Sequence, residues 1–248
     1  LDVGQGLAAV VRTRNHVLVY DTGSRLGTTL DAGRAVLVPF LRQQGASRVD
    51  TLIVSHADSQ HTGGVRSLRE LLPVERILTS SPARTPIDEA KACRAGQAWE
   101  WDGVRFQVLH PPESGFGGDN ASCVLKVEGM MGRVLLPGDI ETAAETMLAA
   151  TSGTGLAAEI LVAPHHGHRN LSTVAFLDAV QPRYVLFATG YRNRFGYPRP
   201  ETVARYQATG ATLLNASDEG ALTFRLEPGQ PLEPERYRRD HRRYWTAP

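Results

Sequence analysis

Ten consecutive residues, Ser55-His56-Ala57-Asp58-Ser59-Gln60-His61-Thr62-Gly63-Gly64, concentrate two imidazoles and a carboxylate in a short stretch that follows an apolar run. In extended or turn backbone, side chains two apart project to the same side, so His56 and Asp58 can share one cation. His61, entering the following helix, points back toward it. Nitrogen and oxygen donors without thiolate suit Zn²⁺ or Mn²⁺. A lone histidine here would read first as a surface loop residue; the clustering, with glycines that permit close backbone approach, favours a metal site, and Ser55 is then a helper beside it. Asp139 follows an apolar run and Gly138, and His165-His166-Gly167 closes another run in the same manner. Taken alone, Gly-Asp before a helix is more often just an N-cap arrangement. Joined to the first cluster, these residues complete a binuclear site in which Asp139 bridges two cations.

Such side chains need apolar strands that stop where the polar residues begin. Short apolar runs predict strands over 7–11, 17–20, 51–54, 104–109, 124–127, 134–136, 160–163, 184–187, 212–214 and 221–226. Apolar residues at helical spacing predict helices over 34–44, with Gly45 as its C-cap, and over 65–72, 141–150, 173–180 and 201–207. The stretch 80–97 reads as irregular. No internal repeat and no Gly/Ser linker divides the chain. The expectation is an α/β fold: one domain over residues 1–226, two sheets packed face to face with helices outside, an αββα sandwich. A Pro-rich and then basic, aromatic-containing tail over residues 227–248 is expected to be peripheral.

The composition of the 248 residues is that of a folded domain, and 27 Lys+Arg against 26 Asp+Glu leave a formal charge of +1. Any affinity for nucleic acid must therefore come from local patches. No run approaches the ~18 apolar residues of a membrane span, and the first residues lack the basic start and apolar core of a signal peptide. The reading is a soluble piece cut from a longer protein. Cys93 and Cys123 could close one disulfide, but the reading favours two buried free thiols. The chain has no Gly-x-Ser-x-Gly elbow for a serine hydrolase. It also has no phosphate-cradling loop ending in Lys, so no nucleotide cofactor is expected.

The ordered set Asp21-Thr22-Gly23, the Ser-His-x-Asp-x-x-His-x-Gly-Gly segment, Leu136-Pro137-Gly138-Asp139 and Pro164-His165-His166-Gly167 resembles the metallo-β-lactamase fold. A narrower resemblance, to the soluble C-terminal domain of the ComEC competence family, rests on three further segments. These are Asp2-Val3-Gly4-Gln5-Gly6, Asn120-Ala121-Ser122-Cys123-Val124-Leu125, and Gly190-Tyr191-Arg192-Asn193-Arg194-Phe195-Gly196. It implies a metal-dependent nuclease that degrades the strand not imported during natural transformation. It also implies one or two divalent ions, Mn²⁺ with Zn²⁺ as the alternative, and single-stranded DNA as partner. The domain would belong to a DNA-uptake channel of the inner membrane and face the periplasm. Carried over by position, His56, Asp58, His61, Asp139 and His165 would be metal ligands. Asp58, His166 and Tyr197 would be catalytic, and Asp2, Asp21 and Gln60 would stand behind the ligands and orient them.

Three departures accompany the resemblance. Gln60 stands where the family commonly has Asp, Tyr197 where it has His, and His168 where it has Ser. A neutral Gln60 leaves the second ion one anionic partner short, which predicts weakened occupancy, and a phenol with a pKa near ~10 is a poorer proton shuttle than imidazole. His168 is either a replacement ligand or a solvent-facing side chain. Arg192, Arg194 and Arg199 lie near Tyr197 and could hold phosphates. The segment 236–245 interleaves Arg with Tyr and Trp as a stacking surface would; a solvated basic tail, or one touching anionic lipid, is the alternative. Trp99 and Trp101 read as packing residues. Two other functions stay open: hydrolysis of a small ester or lactone, and a non-catalytic DNA-binding module.

Overall fold

A computed structural model of the chain describes residues 1–85 and 87–242. The first sheet has five strands in chain order, β1 (Ala9–Arg12), β2 (Val17–Tyr20), β3 (Thr51–Val54), β4 (Ile77–Thr79) and β5 (Lys91–Ala92). Only the β1–β2 pair is antiparallel. Its helices are α1 (Val38–Gln43), which continues a helical turn over Gly33–Leu37, α2 (Ser59–Thr62) and α3 (Val65–Leu71). The second sheet has seven strands: β6 (Ala98–Trp101), β7 (Val104–His110), β8 (Val124–Gly129), β9 (Gly132–Leu136), β10 (Ile160–Val162), β11 (Tyr184–Phe187) and β12 (Thr212–Asn215). The β6–β9 strands run antiparallel to their neighbours, and β9 to β12 run parallel. Helices α4 (Thr142–Ser152), α5 (Val174–Val180) and α6 (Pro200–Ala208) belong to this half.

The period-two rule distributes each strand between two cores. In β2, Leu18 and Tyr20 face the second sheet, where they join Ile53, Phe106, Val108, Leu125 and Val127. Val17 and Val19 face outward and pack with Leu37, Leu41, Val65 and Leu68 of the helical layer. On the opposite side Ala144, Leu148, Phe176, Leu177 and Tyr206 cover Leu135, Leu161, Val185 and Phe187. Strands β2 and β3 are buried along their whole length and, Thr51 apart, built of apolar and aromatic residues, because both of their faces are covered. The result is the αββα arrangement expected from the sequence, with three apolar layers between four structural ones. No helix among the described residues is long and apolar enough to cross a membrane.

Several expectations need correction. The stretch read as irregular contains β5, and β6 follows it at Ala98–Trp101. Trp99 stacks on Phe106 at 5.3 Å, with the Arg76 guanidinium 4.3 Å above its ring, so it is a packing residue as read. After α7 (Ala216–Glu219), β13 (Leu222–Phe224) pairs antiparallel with β14 (Pro234–Arg236), followed by α8 (Tyr237–Asp240). The Tyr184 hydroxyl donates to the Leu232 carbonyl at 2.8 Å, and Arg238 donates to the Asp2 carboxylate at 2.5 Å. The boundary drawn at 226/227 therefore crosses a continuous piece of structure rather than freeing a peripheral tail. Arg243, Tyr244 and Trp245 of the expected stacking segment lie outside the described residues.

Cys93 and Cys123 are bonded to each other, with their Cα atoms 6.1 Å apart, which overturns the expectation of free thiols. Cys93 leaves β5 and Cys123 leads into β8, so the bond staples one sheet to the other through the central core. Opening a loop of this length costs about 2–4 kcal/mol. Urea unfolding of the double variant Cys93→Ala/Cys123→Ala, or of the native chain in reductant, is expected to show that loss. A midpoint unchanged by reduction would contradict it.

Candidate metal centre

The polar residues collect where strands stop. Asp21 follows β2, Ser55 and His56 follow β3, Asp139 follows β9 through Pro137-Gly138, and His165 and His166 follow β10. His61 is brought in by α2. Three of these residues occupy the left-handed backbone region that side chains with a Cβ avoid: Asp21 (φ 59°), His165 (φ 48°) and His166 (φ 55°). Two glycines allow the segments to close on one another. A Cβ at Gly138 would lie 2.8 Å from the Ser122 Cβ and 2.9 Å from the Ser55 Cβ, and one at Gly64 would lie 2.4 Å from the Gly33 nitrogen.

Asp139 Oδ2 is the hub. Four imidazole Nε2 atoms face it, from His61 at 3.3 Å, His166 at 3.7 Å, His165 at 3.8 Å and His56 at 4.0 Å. The Asp139 backbone N–H donates to Ser122 Oγ at 3.1 Å, which fixes the turn that presents the carboxylate. The ring orientations follow from the other nitrogens. Asp21 Oδ1 accepts the Ser55 N–H at 2.7 Å, while Asp21 Oδ2 accepts the Ser55 hydroxyl at 2.8 Å and lies 2.7 Å from His61 Nδ1. A carboxylate only accepts, so His61 carries its proton on Nδ1. The single Ser55 proton goes to Asp21, so its oxygen, 3.0 Å from His56 Nδ1, accepts from that ring. Both histidines thus hold Nδ1–H inward and turn Nε2 toward Asp139, the orientation that a carboxylate or hydroxyl behind a ligating imidazole enforces.

Electrostatics follow the same geometry. Burial alone would depress His61, but the Asp139 and Asp21 charges and hydrogen bonds to both hold its pKa well above the usual imidazole range. Burial and then the His61 charge lower His56 against the pull of Asp139, Asp21 and Asp119. His166 is pushed down to about 4, first by burial and further by His61 and His165, with Asp139 opposing. Burial opposes ionisation of Asp139, yet His61, His166 and His56 hold it well below the usual carboxylate range.

Of the remaining sequence-predicted residues, Asp58 and Asp2 depart most from expectation. Asp58 is exposed and caps α2, accepting the Gln60 N–H at 2.8 Å. Among the described residues it joins neither group of converging metal-ligand atoms. Asp2 is paired with Arg238 instead of orienting an imidazole. Gln60 has a buried, unpartnered Oε1, and its carbonyl accepts the Leu7 N–H at 3.3 Å. His168 points Nδ1 at the Arg169 carbonyl, 2.8 Å away, and stacks on His165 at 4.9 Å. Tyr197 stands edge-on to His168 at 5.5 Å and to His165 at 6.3 Å, on the rim of the cleft. Arg192, Arg194 and Arg199 each place a guanidinium over an aromatic ring, Tyr191 at 5.1 Å, Phe195 at 4.9 Å and Tyr197 at 5.7 Å.

Sequence reasoning missed Asp119 and Glu141. With His165 they form a second, half-buried group whose potential ligand atoms lie within 4.8 Å of one another, beside the buried group His56, His61 and Asp139. Asp119 lies between Gly118 and Asn120, where nothing in the local sequence marks it as a ligand. The one available signal for Glu141 was its place two residues after Asp139.

The residues present fit a divalent cation. His61 Nε2 and His166 Nε2 are buried without a hydrogen-bond partner, both turned toward one ionised carboxylate. Leaving such nitrogens unpaired is costly, and a cation satisfies them together. With both cysteines in a disulfide, the donors are imidazole and carboxylate only, a set suited to Zn²⁺ or Mn²⁺.

Comparison with known proteins bears on the family and the fold. The family described as Metallo-beta-lactamase superfamily matches residues 1–191. Competence protein ComA of Neisseria gonorrhoeae is 38% identical over 229 residues, which cover 92% of this chain and 32% of that protein. Recombination protein 2 of Haemophilus influenzae is 30% identical over 225 residues, 90% of this chain and 28% of that protein. The chain thus spans about 30% of the length of these relatives. Among solved structures, the metallo-beta-lactamase fold protein YhfI of Bacillus subtilis superposes with a TM-score of 0.52 at 12% identity, covering 85% of this chain and 88% of that one, a likeness of fold alone.

Two measurements test the geometry. Replacing Asp21→Asn removes the anion behind His61 and is expected to weaken divalent-metal binding about 10- to 100-fold; unchanged affinity by calorimetric titration would contradict the orienting role. His61 keeps its proton to higher pH than an ordinary imidazole, so a cation arriving at Nε2 must displace it. Metal binding near neutral pH should therefore release a proton and tighten as pH rises, read as a dependence of binding heat on buffer ionisation enthalpy.

Proposed function

The chain belongs to the metallo-beta-lactamase superfamily, and from that premise we propose that it is a divalent-metal-dependent phosphodiesterase acting on single-stranded DNA in a DNA-uptake system, where it degrades the strand that is not imported. The observation that carries this reading is the convergence of four Nε2 atoms on Asp139 beside a loop rich in arginine and aromatic rings.

His56, His61 and Asp139 would hold the cation, Mn²⁺ in this reading, with His165 and His166 next to them. When bound, the ion supplies acidification of water and neutralisation of charge on a phosphodiester. The protein's own residues supply placement. Asp21 and Ser55 lock the imidazoles, and the left-handed turn at His165-His166 delivers two rings from one strand end. Burial raises the Tyr197 pKa, so its hydroxyl remains a neutral donor at neutral pH, suited to a phosphoryl oxygen. Among the described residues Arg192, Arg194 and Arg199 form no ion pair with a carboxylate, which leaves their guanidiniums available for phosphates while the rings beneath offer stacking faces.

Kinship with proteins named for competence and recombination supports DNA as the substrate. The disulfide supports an oxidising compartment, consistent with a domain that faces the periplasm beside the membrane channel of a longer protein.

The test is incubation of the purified chain with end-labelled single-stranded DNA and Mn²⁺. Cleavage is expected, lost on chelation and in Asp139→Asn. In Asp139→Asn, expected to bind DNA without cutting it, adding Arg192→Ala/Arg194→Ala should weaken binding and reduce the log–log salt slope by about 0.7 for each lost phosphate contact. Binding without cleavage by the native chain would favour a non-catalytic module. Hydrolysis of esters or lactones alone would replace DNA as the substrate.

A further inference from the structure

The end of the molecule opposite the cleft carries two groups that the metal centre does not use. Strands β2 and β9 begin there, at Val17 and Gly132, and run toward Asp21 and Asp139. The β8–β9 hairpin closes through Met130-Met131, between the paired Gly129 and Gly132, with Met130 88% and Met131 39% exposed. Neither methionine has the positive φ that restricts a turn to special residues, so polar side chains would serve the backbone equally well. The neighbouring β6–β7 turn is Asp102-Gly103, with φ 53° and 80°, and Val104 Cγ2 lies 3.9 Å from a Cβ placed at Gly129. Asp102 accepts from the Thr13 hydroxyl at 2.5 Å, the Asn15 N–H at 2.9 Å and Asn15 Nδ2 at 2.8 Å, and so ties that turn to the β1–β2 loop. Beside the loop opens a cavity of about 220 Å³ whose lining includes Arg12, Arg14, Asn15, His16, Ser47 and Arg48, with Asp50 as its one carboxylate.

The carboxylates at this end are already engaged. Asp50 is buried and accepts the Val17 N–H at 2.7 Å and Arg48 Nε at 2.9 Å, and Glu75 lies 3.1 Å from the same Nε. Glu159 pairs with Arg133, Glu128 faces Lys126 at 3.8 Å, and Glu100 stands opposite Arg105 on the adjoining strand. Arg12 and Arg14 are exposed and have no carboxylate partner among the described residues; Arg12 donates to Gln44 Oε1 at 2.9 Å. We propose that this end of the molecule rests on an anionic phospholipid surface, with Met130 and Met131 entering the headgroup layer and the cavity between Arg12, Arg14 and Arg48 holding a lipid phosphate. Guanidinium groups pair with phosphate oxygens, and an exposed apolar tip flanked by cations suits the boundary between headgroups and acyl chains. The phosphate of a nucleic acid would satisfy the cavity but leave Met130 in water; a bilayer meets both features at one surface. Resting there, the molecule turns its cleft away from the lipid by the length of β2 and β9, open to a passing strand. Docking of this end involves none of the metal-centre residues.

The test sediments the purified chain with vesicles of phosphatidylglycerol and phosphatidylethanolamine, and with vesicles of phosphatidylcholine alone. Binding is expected with phosphatidylglycerol only, and it should weaken as salt rises. Arg12→Gln/Arg14→Gln should weaken it about 25-fold, near fivefold for each lost guanidinium, and Met130→Ser/Met131→Ser about threefold or more. Both variants alter exposed side chains and should melt as the native chain does. On the native chain, which needs no variant to fold, the vesicles should slow amide hydrogen exchange at residues 13–16 and 129–132 and leave 55–64 unchanged. Absent binding, binding that either folded variant leaves unaltered, or protection confined to other segments overturns the docking surface. So does capture of inorganic phosphate or single-stranded DNA through Arg12 and Arg14 by a chain that ignores the vesicles. Metal binding and DNA cleavage are read separately and stand or fall on their own measurements.

Discussion

The buried Asp139 carboxylate among four imidazole nitrogens is the constraint to which the rest of the cleft is subordinate. A buried anion is tolerated only with compensating charge or hydrogen bonds. Here the compensation comes from side chains carried by β3, α2 and the turn after β10, so segments more than a hundred residues apart in sequence must arrive at one place. Each arrival has its own local device. Gly138 brings the Asp139 turn against Ser55 and Ser122, Gly64 brings the α2–α3 corner against the first helical layer, and left-handed backbone at three non-glycine residues turns side chains inward.

The αββα architecture makes these devices compatible. Strands β2 and β3 of one sheet and β9 and β10 of the other all end in the cleft, and the apolar layer between the sheets sets their spacing. The disulfide adds a covalent tie across that layer. Cys123 adjoins Ser122, whose hydroxyl receives the Asp139 N–H, and the Cys123 N–H donates to the Ser55 carbonyl at 2.9 Å. The floor of the metal centre is therefore continuous with the staple between the sheets, while the rim that carries Asp119, Glu141, Tyr197 and the arginines is less confined.

Much of this was legible in the residues. Val17–Tyr20, Thr51–Val54 and Tyr184–Phe187 were found at their observed limits, because strands buried on both faces are uninterrupted apolar runs bounded by polar turns. β4, β5, β6 and β14 were missed: the first two are three and two residues long, β6 alternates Trp with Ala and Glu, and β14 includes Pro and charged residues. Their pairing is a tertiary effect with little local signal. At the site, the two-residue spacing of His56 and Asp58 suggested a shared ion, but the start of α2 competes for the same carboxylate as a cap. Asp119 and Glu141 escaped because nothing local marks two carboxylates 22 positions apart as neighbours. The Cys93–Cys123 bond escaped for the same reason, since a separation of 30 residues says nothing about which strands face each other.

Ser55 has one hydrogen to give and gives it to Asp21. That single commitment propagates: the oxygen can then only receive from His56, and Asp21 can only receive from His61. The floor of the cleft thereby acquires a built-in polarity, with the Nδ1 hydrogens of His56 and His61 directed at the oxygens behind them and Nε2 of both rings turned toward the mouth. An incoming cation meets a surface whose tautomers were chosen by folding, so its capture requires no rearrangement of rings and only the departure of protons from the side it approaches.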